Sequence, residues 1–362
     1  MPVRERPGDS TGTHDPPLDT SPMIKLSDVA EAAGVSAATV SRVVNEPEMV
    51  RVETRARVEE AIRRLGYRPS RVARRLRVKC GRSTLLGLVI PDLQNPFFAD
   101  LARGVEDAAQ LQGYTVLIGN ADEDPAKELR YLQVMGAESV DGVILPPAGL
   151  RSPGVEELLR AGIPVVCVDR RLASPRVDVA LIDNVQGAYA ATAHLIAQGH
   201  RRVGFIRGTP DLSTSRERLQ GYRDALADHE IEFDPGLALA GDSRQPSGKR
   251  LTADLIGQSP PPTALLVGNS MMTLGALEAI REAGLRLPDD LALIGYDDMP
   301  WALALDPPLT VVRQPGYELG ARATELLLQR IRAPGRSTAA VMLQPELVIR
   351  RSSGAASTDD DH

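Results

Sequence analysis

The sequence predicts a small all-α module followed by an α/β body of doubly wound parallel sheets, and three observations carry that prediction. From Leu85 onward short apolar runs recur: LLGLVI, YTVLI, DGVIL, IPVVCV, RRVGFI, TALLVG and LALIGY. Runs of this length read as strands buried on both faces of a parallel sheet. Amphipathic stretches lie between them, among them Phe97 to Gln112, Val185 to Gln198, Ser215 to His229 and Met271 to Ala283, giving repeated β-α alternation. Third, about 270 residues of such units exceed a comfortable single core and favour two lobes. Ligands of open α/β sheets bind beyond the strand C-termini, so the cleft between lobes is the expected site.

At 362 residues, 43% hydrophobic, the chain can build its cores without staples. Cys80 and Cys167 are far apart and have no CxxC or Cys/His spacing, so neither a disulfide framework nor a metal site is expected. No cofactor is implied. Nothing at the N-terminus resembles a signal peptide and no run approaches the roughly 18 apolar residues of a membrane span, which places the protein in the cytoplasm. Formal charge is −6, but it is distributed unevenly. Residues 23–79 hold 13 Lys/Arg against 7 Asp/Glu, residues 1–22 hold 2 against 4, and the remainder 27 against 37. A compact positive module on an acidic body suits contact with phosphates at one end.

Residues 1–22 are polar and rich in Pro, too poor in apolar residues to offset ordering entropy, and are expected to be a disordered leader. Translation starting at Met23 would remove it. Residues 352–362 share that character and are expected to be a frayed tail.

In LSDVAEAAGVSAATVSRVVN, Leu26, Val29, Ala30 and Ala33 mark one helical face, Gly34 interrupts it, and Val40, Val43 and Val44 resume it. A helix-turn-helix needs a small residue where the helices touch, a turn residue tolerant of positive φ and an apolar anchor in the second helix. Ala30, Gly34 and Val40 fit. Ser36 is placed to cap the second helix, putting Ala37, Ala38 and Thr39 in its first turn, where a recognition helix meets base edges. An ordinary helical hairpin has the same spacing. Context favours the DNA-binding reading: Thr54 to Leu65 supplies Val58, Ile62 and Leu65 to a three-helix core, presents Arg55, Arg57, Arg63 and Arg64 outward, and ends at Gly66, a natural C-cap. SRVARRLRVK then sets Val72, Ala73 and Leu76 among Arg71, Arg74, Arg75, Arg77 and Lys79; a solvated linker is the alternative there.

DVAEAAGVSAATVSRVVN, TRARVEEAIRRLGYRPS and VARRLR together resemble the headpiece of the lactose-repressor and galactose-repressor (LacI/GalR-type) family of transcription regulators. The resemblance implies domains at 23–69 (helix-turn-helix), 70–82 (hinge helix and linker) and 83–351 (effector binding and dimerisation). It makes Ser70 to Arg77 a hinge helix that folds when two copies pair over the minor groove, with Arg71, Val72 and Ala73 facing the DNA and Leu76 wedged between base pairs. Ser36, Thr39, Ser41, Arg42 and Asn45 would contact phosphates or major-groove edges. Ala37 and Ala38 hold the positions that vary operator choice, and alanines there allow only apolar contact. Arg51 departs from the family, where a capping Ser precedes the third helix.

The resemblance extends from Leu85 to Arg351, where the body is similar to ribose-type periplasmic binding proteins. Lobe one is then expected at about 83–182 and 313–335, and lobe two at about 183–312 and 336–351. The motifs are PDLQNPFF, VDR, IDN, RERLQGY, GNSMMTLGALEAI, GYDD and LTVVRQP. A polyol site needs apolar faces for the ring and charged groups for its hydroxyls. By this likeness Phe97 and Phe98 stack on a sugar, Asn95, Asp169, Arg170, Arg218, Asn269, Asp297 and Gln314 bond its oxygens, and Trp301 forms a further wall. Structural alternatives stand beside these roles: NPFF as a helix start with core aromatics, Asp169-Arg170 as a strand-end ion pair. Ser270 replaces the family's usual Asp after Asn269, which alters hydroxyl selection or only a helix cap.

The expected function is therefore a repressor that binds operator DNA as a homodimer and is switched by a pentose, a hexose or a derivative between the lobes. Either induction or corepression fits. A solute-binding protein is opposed by the headpiece and the missing signal peptide. An enzyme is opposed by the lack of GxGxxG after the first strand, of a Walker lysine motif, of GxSxG and of HExxH. No leucine heptads follow Arg351, which favours a dimer over a tetramer.

Overall fold

The computed structural model describes residues 25–45, 47–67, 84–173 and 177–354. The leader 1–22, the segment 70–82 with Arg71, Val72, Ala73 and Leu76, the side chain of Asn45 and residues 355–362 lie outside the described residues. The chain divides into two compact units, Met1–Gly81 and Arg82–His362.

In the first unit α1 (Leu26–Ala33), α2 (Ala37–Asn45) and α3 (Val52–Leu65) enclose Val29, Ala30, Ala33, Val40, Val43, Val58, Ala61 and Tyr67. Gly34 takes φ +63°, and the Val35 N–H reaches back to the Ala30 carbonyl at 3.0 Å, so the chain reverses in the left-handed step glycine allows. Ser36 Oγ accepts from the Thr39 N–H at 3.1 Å and bonds the Thr39 hydroxyl at 2.9 Å, starting α2. Ser36→Ala is expected to cost the headpiece about 1 kcal/mol. The effect would be read as faster amide exchange at Thr39, and unchanged exchange there would refute the cap. Arg51 before α3 makes no side-chain cap bond, and the helix begins at Val52, two residues earlier than its amphipathic pattern.

The second unit contains two six-stranded sheets. Sheet one runs β11-β5-β4-β3-β1-β2, all parallel: β1 (Leu85–Ile90), β2 (Thr115–Asn120), β3 (Gly142–Leu145), β4 (Val165–Val168), β5 (Asp178–Ile182) and β11 (Ala340–Leu343). Sheet two repeats the order as β12-β10-β9-β8-β6-β7, from β6 (Val203–Arg207), β7 (Ala238–Ala240), β8 (Ala264–Val267), β9 (Ala292–Tyr296), β10 (Thr310–Arg313) and β12 (Glu346–Val348), with only β12 antiparallel. Lobe one adds α4 (Pro96–Gln110), α5 (Pro125–Ala137), α6 (Pro153–Arg160) and α11 (Gly316–Arg332); lobe two adds α7 (Asn184–Ala197), α8 (Ser213–Asp228), α9 (Gln245–Ile256) and α10 (Ser270–Glu282). Apolar clusters cover both faces of each sheet, the arrangement its apolar strands require. This is the two-lobed, doubly wound body the sequence predicts.

Two boundaries are corrected. β11 pairs with β5, so residues up to 343 belong to lobe one and the last crossing falls at 344–345, not near 335; β10 keeps Arg313 in lobe two, so the preceding crossing is at 314–315. Nor does the tail fray from 352. Ser352 and Ser353 are fully buried, Ser352 Oγ donating to the Leu293 carbonyl at 2.7 Å and accepting from the Thr310 N–H at 2.8 Å. Their hydroxyls look like solvent-facing groups by composition and instead close the end of sheet two.

The helix that aims at the cleft from lobe two is α8. At Gly221 an added Cβ would lie 2.0 Å from the Val185 carbonyl oxygen, so glycine sets how closely α8 lies on α7 and hence the spacing of Arg218 from Asn184.

Candidate functional site

The repeated topology builds the site twice over. Asp169 follows β4 and Asp297 follows β9, corresponding strands of the two sheets; both are buried and both are left-handed, at φ +63° and +67°. Asp is among the few residue types that tolerate that backbone. Both carboxylates stand at the strand C-termini, where open α/β sheets expose their binding edge.

From lobe two, α8 presents Arg218. Its Nε donates to Asn184 Oδ1 at 2.8 Å and one Nη to Gln314 Oε1 at 2.9 Å; the other Nη donates to the Gly268 carbonyl. Its guanidinium lies 4.1 Å from the Tyr296 ring centroid. Gln314, in a crossing segment, then donates Nε2 to Asp297 Oδ1 at 2.6 Å. The Ser270 N–H donates to Asp297 Oδ2 at 3.3 Å, and Ser270 Oγ donates across the cleft to Asn95 Oδ1 at 3.1 Å. Asn184, Arg218, Gln314, Asp297, Ser270 and Asn95 thus form one hydrogen-bonded chain spanning both lobes.

Lobe one contributes Asn95 and the aromatic start of α4. Asn95 Oδ1 also accepts from the Phe97 N–H at 3.0 Å, capping the helix. Phe97 and Phe98 pack edge to face, centroids 5.1 Å apart, both buried. Arg170 sits 5.8 Å over Phe98 and makes two hydrogen bonds of 2.6 and 2.7 Å to the Glu123 carboxylate. The strand-end pair within Asp169-Arg170 is secondary, at 3.6 Å. Asp169 Oδ1 has no hydrogen-bond partner although it is buried, which leaves a carboxylate oxygen free to accept.

Burial pushes the Asp169 carboxyl up to about 6, against the pull of Arg170 and Arg218, with Asp297 and Glu123 adding to the rise. Burial also raises Asp297, opposed by the Gln314 hydrogen bond and by Arg218. With Arg170 neutralised by Glu123, the remaining formal charges are Asp169, Asp297 and Arg218. No cationic surplus is left to attract an anion.

Asn95, Phe97, Phe98, Asp169, Arg170, Arg218, Asn269, Asp297 and Gln314 line one polar cavity of about 40 Å³ between the lobes. Asn269 lines it while capping α10, accepting from the Met272 N–H at 2.8 Å and donating to the Ser243 carbonyl at 2.8 Å. Trp301 does not line it: it packs beside Leu277 and Leu305 in a separate groove of lobe two. The motifs missed Glu123, Leu212, Thr214, Ser215 and Ser243, which share the cavity wall. Glu123 and Ser243 are left-handed loop residues whose partners lie elsewhere in the chain, so no local pattern marks them.

In the headpiece, Ala37, Ala38 and Arg42 are exposed along one side of α2, with Ser41 and Thr39 half-buried. Arg55 and Arg63 on α3 pair with Glu59 at 2.7 Å and Glu60 at 2.6 Å. Among the described residues no cluster of His, Cys, Asp or Glu is arranged to hold a metal ion, and no helix is long and apolar enough to cross a membrane.

A helix-turn-helix headpiece joined to a two-lobed body with a polar cleft defines a ligand-binding regulator of transcription. The chain belongs to the LacI family: residues 25–70 match the model of bacterial regulatory proteins of the lacI family, and residues 83–351 that of periplasmic binding proteins and the sugar-binding domain of the LacI family. It is 36% identical over 337 residues to the HTH-type transcriptional repressor PurR of Aliivibrio fischeri strain MJ11, covering 91% of this chain and 98% of that one. It is 37% identical over 330 residues to the ribose operon repressor of Halalkalibacterium halodurans, covering 91% and 97%. Among solved structures, the lac repressor dimer bound to operator and the anti-inducer ONPF superposes with TM-score 0.77 at 30% identity, over 92% of this chain and 99% of that one. The CelR–cellobiose complex does so with TM-score 0.70 at 33% identity, over 91% and 99%. The chain is a DNA-binding transcriptional regulator and not an enzyme, and its body is that family's effector domain.

Proposed function

We propose that the chain is a cytoplasmic repressor that holds operator DNA as a homodimer and is switched by a neutral pentose, hexose or short derivative gripped between its lobes. The observation that carries the sugar assignment is the pair of buried carboxylates at equivalent strand ends, with Asp169 Oδ1 unpartnered and Arg218 acting electrostatically on both. Carboxylates accept from hydroxyls, Arg218 and the amides donate to them, and the Phe97-Phe98 edge offers the apolar surface that ring C–H groups need. The neutralised Arg170 argues for an uncharged ligand over a phosphorylated one. Relatives named for ribose and a neighbour holding cellobiose support the class. Pockets for such ligands measure about 300–1,000 Å³, so entry into a cavity of about 40 Å³ requires the lobes to part and reclose. Reclosure around the ligand shifts the population of DNA-competent dimers through residues 70–82, where the family resemblance puts the hinge helix and Leu76.

The test uses a duplex selected from random sequence by the purified protein, titrated at fixed salt with D-ribose, D-glucose and cellobiose. A change in DNA affinity of about tenfold or more is expected for at least one of them, within the range of ordinary allosteric coupling. Its sign separates induction from corepression. No response to any sugar, with a response to a nucleobase, would overturn the sugar assignment.

A further inference from the structure

The RERLQGY motif carries a second charged residue that the effector site does not use directly. Glu217 lies on α8, one residue before Arg218, and its carboxylate divides its two oxygens between the lobes. Oε1 accepts from Arg171 Nε of lobe one at 3.0 Å, and Oε2 accepts from Asn184 Nδ2 of lobe two at 3.1 Å. The Arg171 N–H also donates to Ser213 Oγ, at the start of α8, at 3.0 Å. Arg171 belongs to the same strand-end segment as Asp169 and Arg170. Asn184 is fixed by a second bond to the Ile182 carbonyl at 3.1 Å, and its Oδ1 receives Arg218 Nε. One carboxylate therefore both bridges the lobes and holds the amide that orients the site arginine.

We propose that Arg171 and Glu217 form a cross-cleft clasp in which Glu217 is a positioning residue, coupling lobe closure to the orientation of Arg218 and so to effector affinity. The proposal rests on the reading of the cleft as the effector site. The clasp forms only when the lobes meet, because its partners come from different sheets. The Glu217 side chain is mostly shielded and Arg171 about half exposed, at 24% and 44%. A partly shielded pair of this kind falls at the upper end of what surface ion pairs contribute, and the added bond to Asn184 spreads the effect into the site. With the pair broken, Glu217 no longer draws lobe one toward α8; with Glu217 itself removed, Asn184 loses an anchor and Arg218 loses its fixed direction.

The full chain carrying Cys80→Ser, with spin labels on cysteines introduced at exposed Glu138 of lobe one and Glu232 of lobe two and diluted with unlabelled chain, reports the interlobe distance without any ligand. Arg171→Ala and Glu217→Ala are each expected to lower the ratio of closed to open molecules by about two- to fivefold, with the wild-type ratio itself falling as salt rises. The exchanged pair Arg171→Glu with Glu217→Arg restores closure but not the response to D-ribose, D-glucose or cellobiose, because an arginine at 217 cannot accept from Asn184. Unchanged distance distributions in both single variants would overturn the clasp, and so would full recovery of the sugar response in the exchanged pair. A closed fraction that falls in the single variants while no sugar binds the wild type would support the clasp and count against the sugar assignment alone.

Discussion

Arg218→Ala is expected to abolish the effector response and to cost the body about 3–5 kcal/mol, the usual penalty for removing one partner of a buried charged network. Three acceptors lose their donor at once: Asn184 Oδ1, the Gly268 carbonyl and Gln314 Oε1. Asp169 and Asp297, both already raised by burial, each lose a cation that favours the charged form, Asp169 keeping only Arg170. Their mutual repulsion then pushes at least one toward protonation, which removes a hydroxyl acceptor from the site as well as its donor. Arg218→Lys separates the two losses. Lysine keeps the charge and should recover part of the stability, but a point ammonium cannot span three divergent acceptors, so the sugar response stays lost. Urea unfolding of the body with the DNA titration in parallel measures both. An alanine variant within about 1 kcal/mol of wild type, with its sugar response intact, would show that the network is peripheral to the cleft.

How much of this was legible in the sequence depended on how each element is buried. β1, β3, β4, β8 and β9 are apolar on both faces because each lies within a parallel sheet, and they read directly as strands. β11 and β12 are edge strands with half-exposed or exposed residues; AVML is an apolar run, but nothing in it says which lobe's sheet it joins, so the final crossing was misplaced. Ser352 and Ser353 misled for a related reason, since composition treats a hydroxyl as solvent-seeking while here the buried partners Leu293 and Thr310 satisfy it. In the cleft, residues beside strand ends or helix starts could be named because the family pattern marks them. Glu123 could not, because its partner Arg170 is 47 residues away and no spacing encodes the pair. Trp301 shows the converse: the family likeness made it a wall of the site, but its ring packs toward Leu277 on α10, outside the cavity. The Ser270 side chain does not cap α10, a task Asn269 performs, and instead makes one of the direct hydrogen bonds between lobes.

Asp169→Asn is expected to move stability and function in opposite directions. The carboxyl is raised from 3.8 to about 6 by burial, so between those values the native state binds more protons than the unfolded chain. Stability therefore falls as pH rises through that window, and above it the ionised carboxylate carries a standing penalty of roughly 3 kcal/mol. Asparagine is nearly the same size, tolerates the φ of +63° and carries no charge, so the variant should gain about that amount at pH 7 and lose its advantage near pH 4. One oxygen of this carboxylate, Oδ1, is a buried acceptor without a partner. Replacing a charged acceptor with an amide should weaken sugar binding by about tenfold or more, since hydrogen bonds to charged groups contribute about 1.5–3 kcal/mol. In the wild type, affinity should fall as pH drops below about 6 for the same reason, whereas the asparagine variant should show no such dependence. Urea unfolding at pH 7 and pH 4, with sugar titrations across the same range, would check every part. A variant less stable than wild type at pH 7 would mean that Arg170 and Arg218 outweigh burial at this position, and the carboxylate would then be a structural group that the ligand meets only in passing.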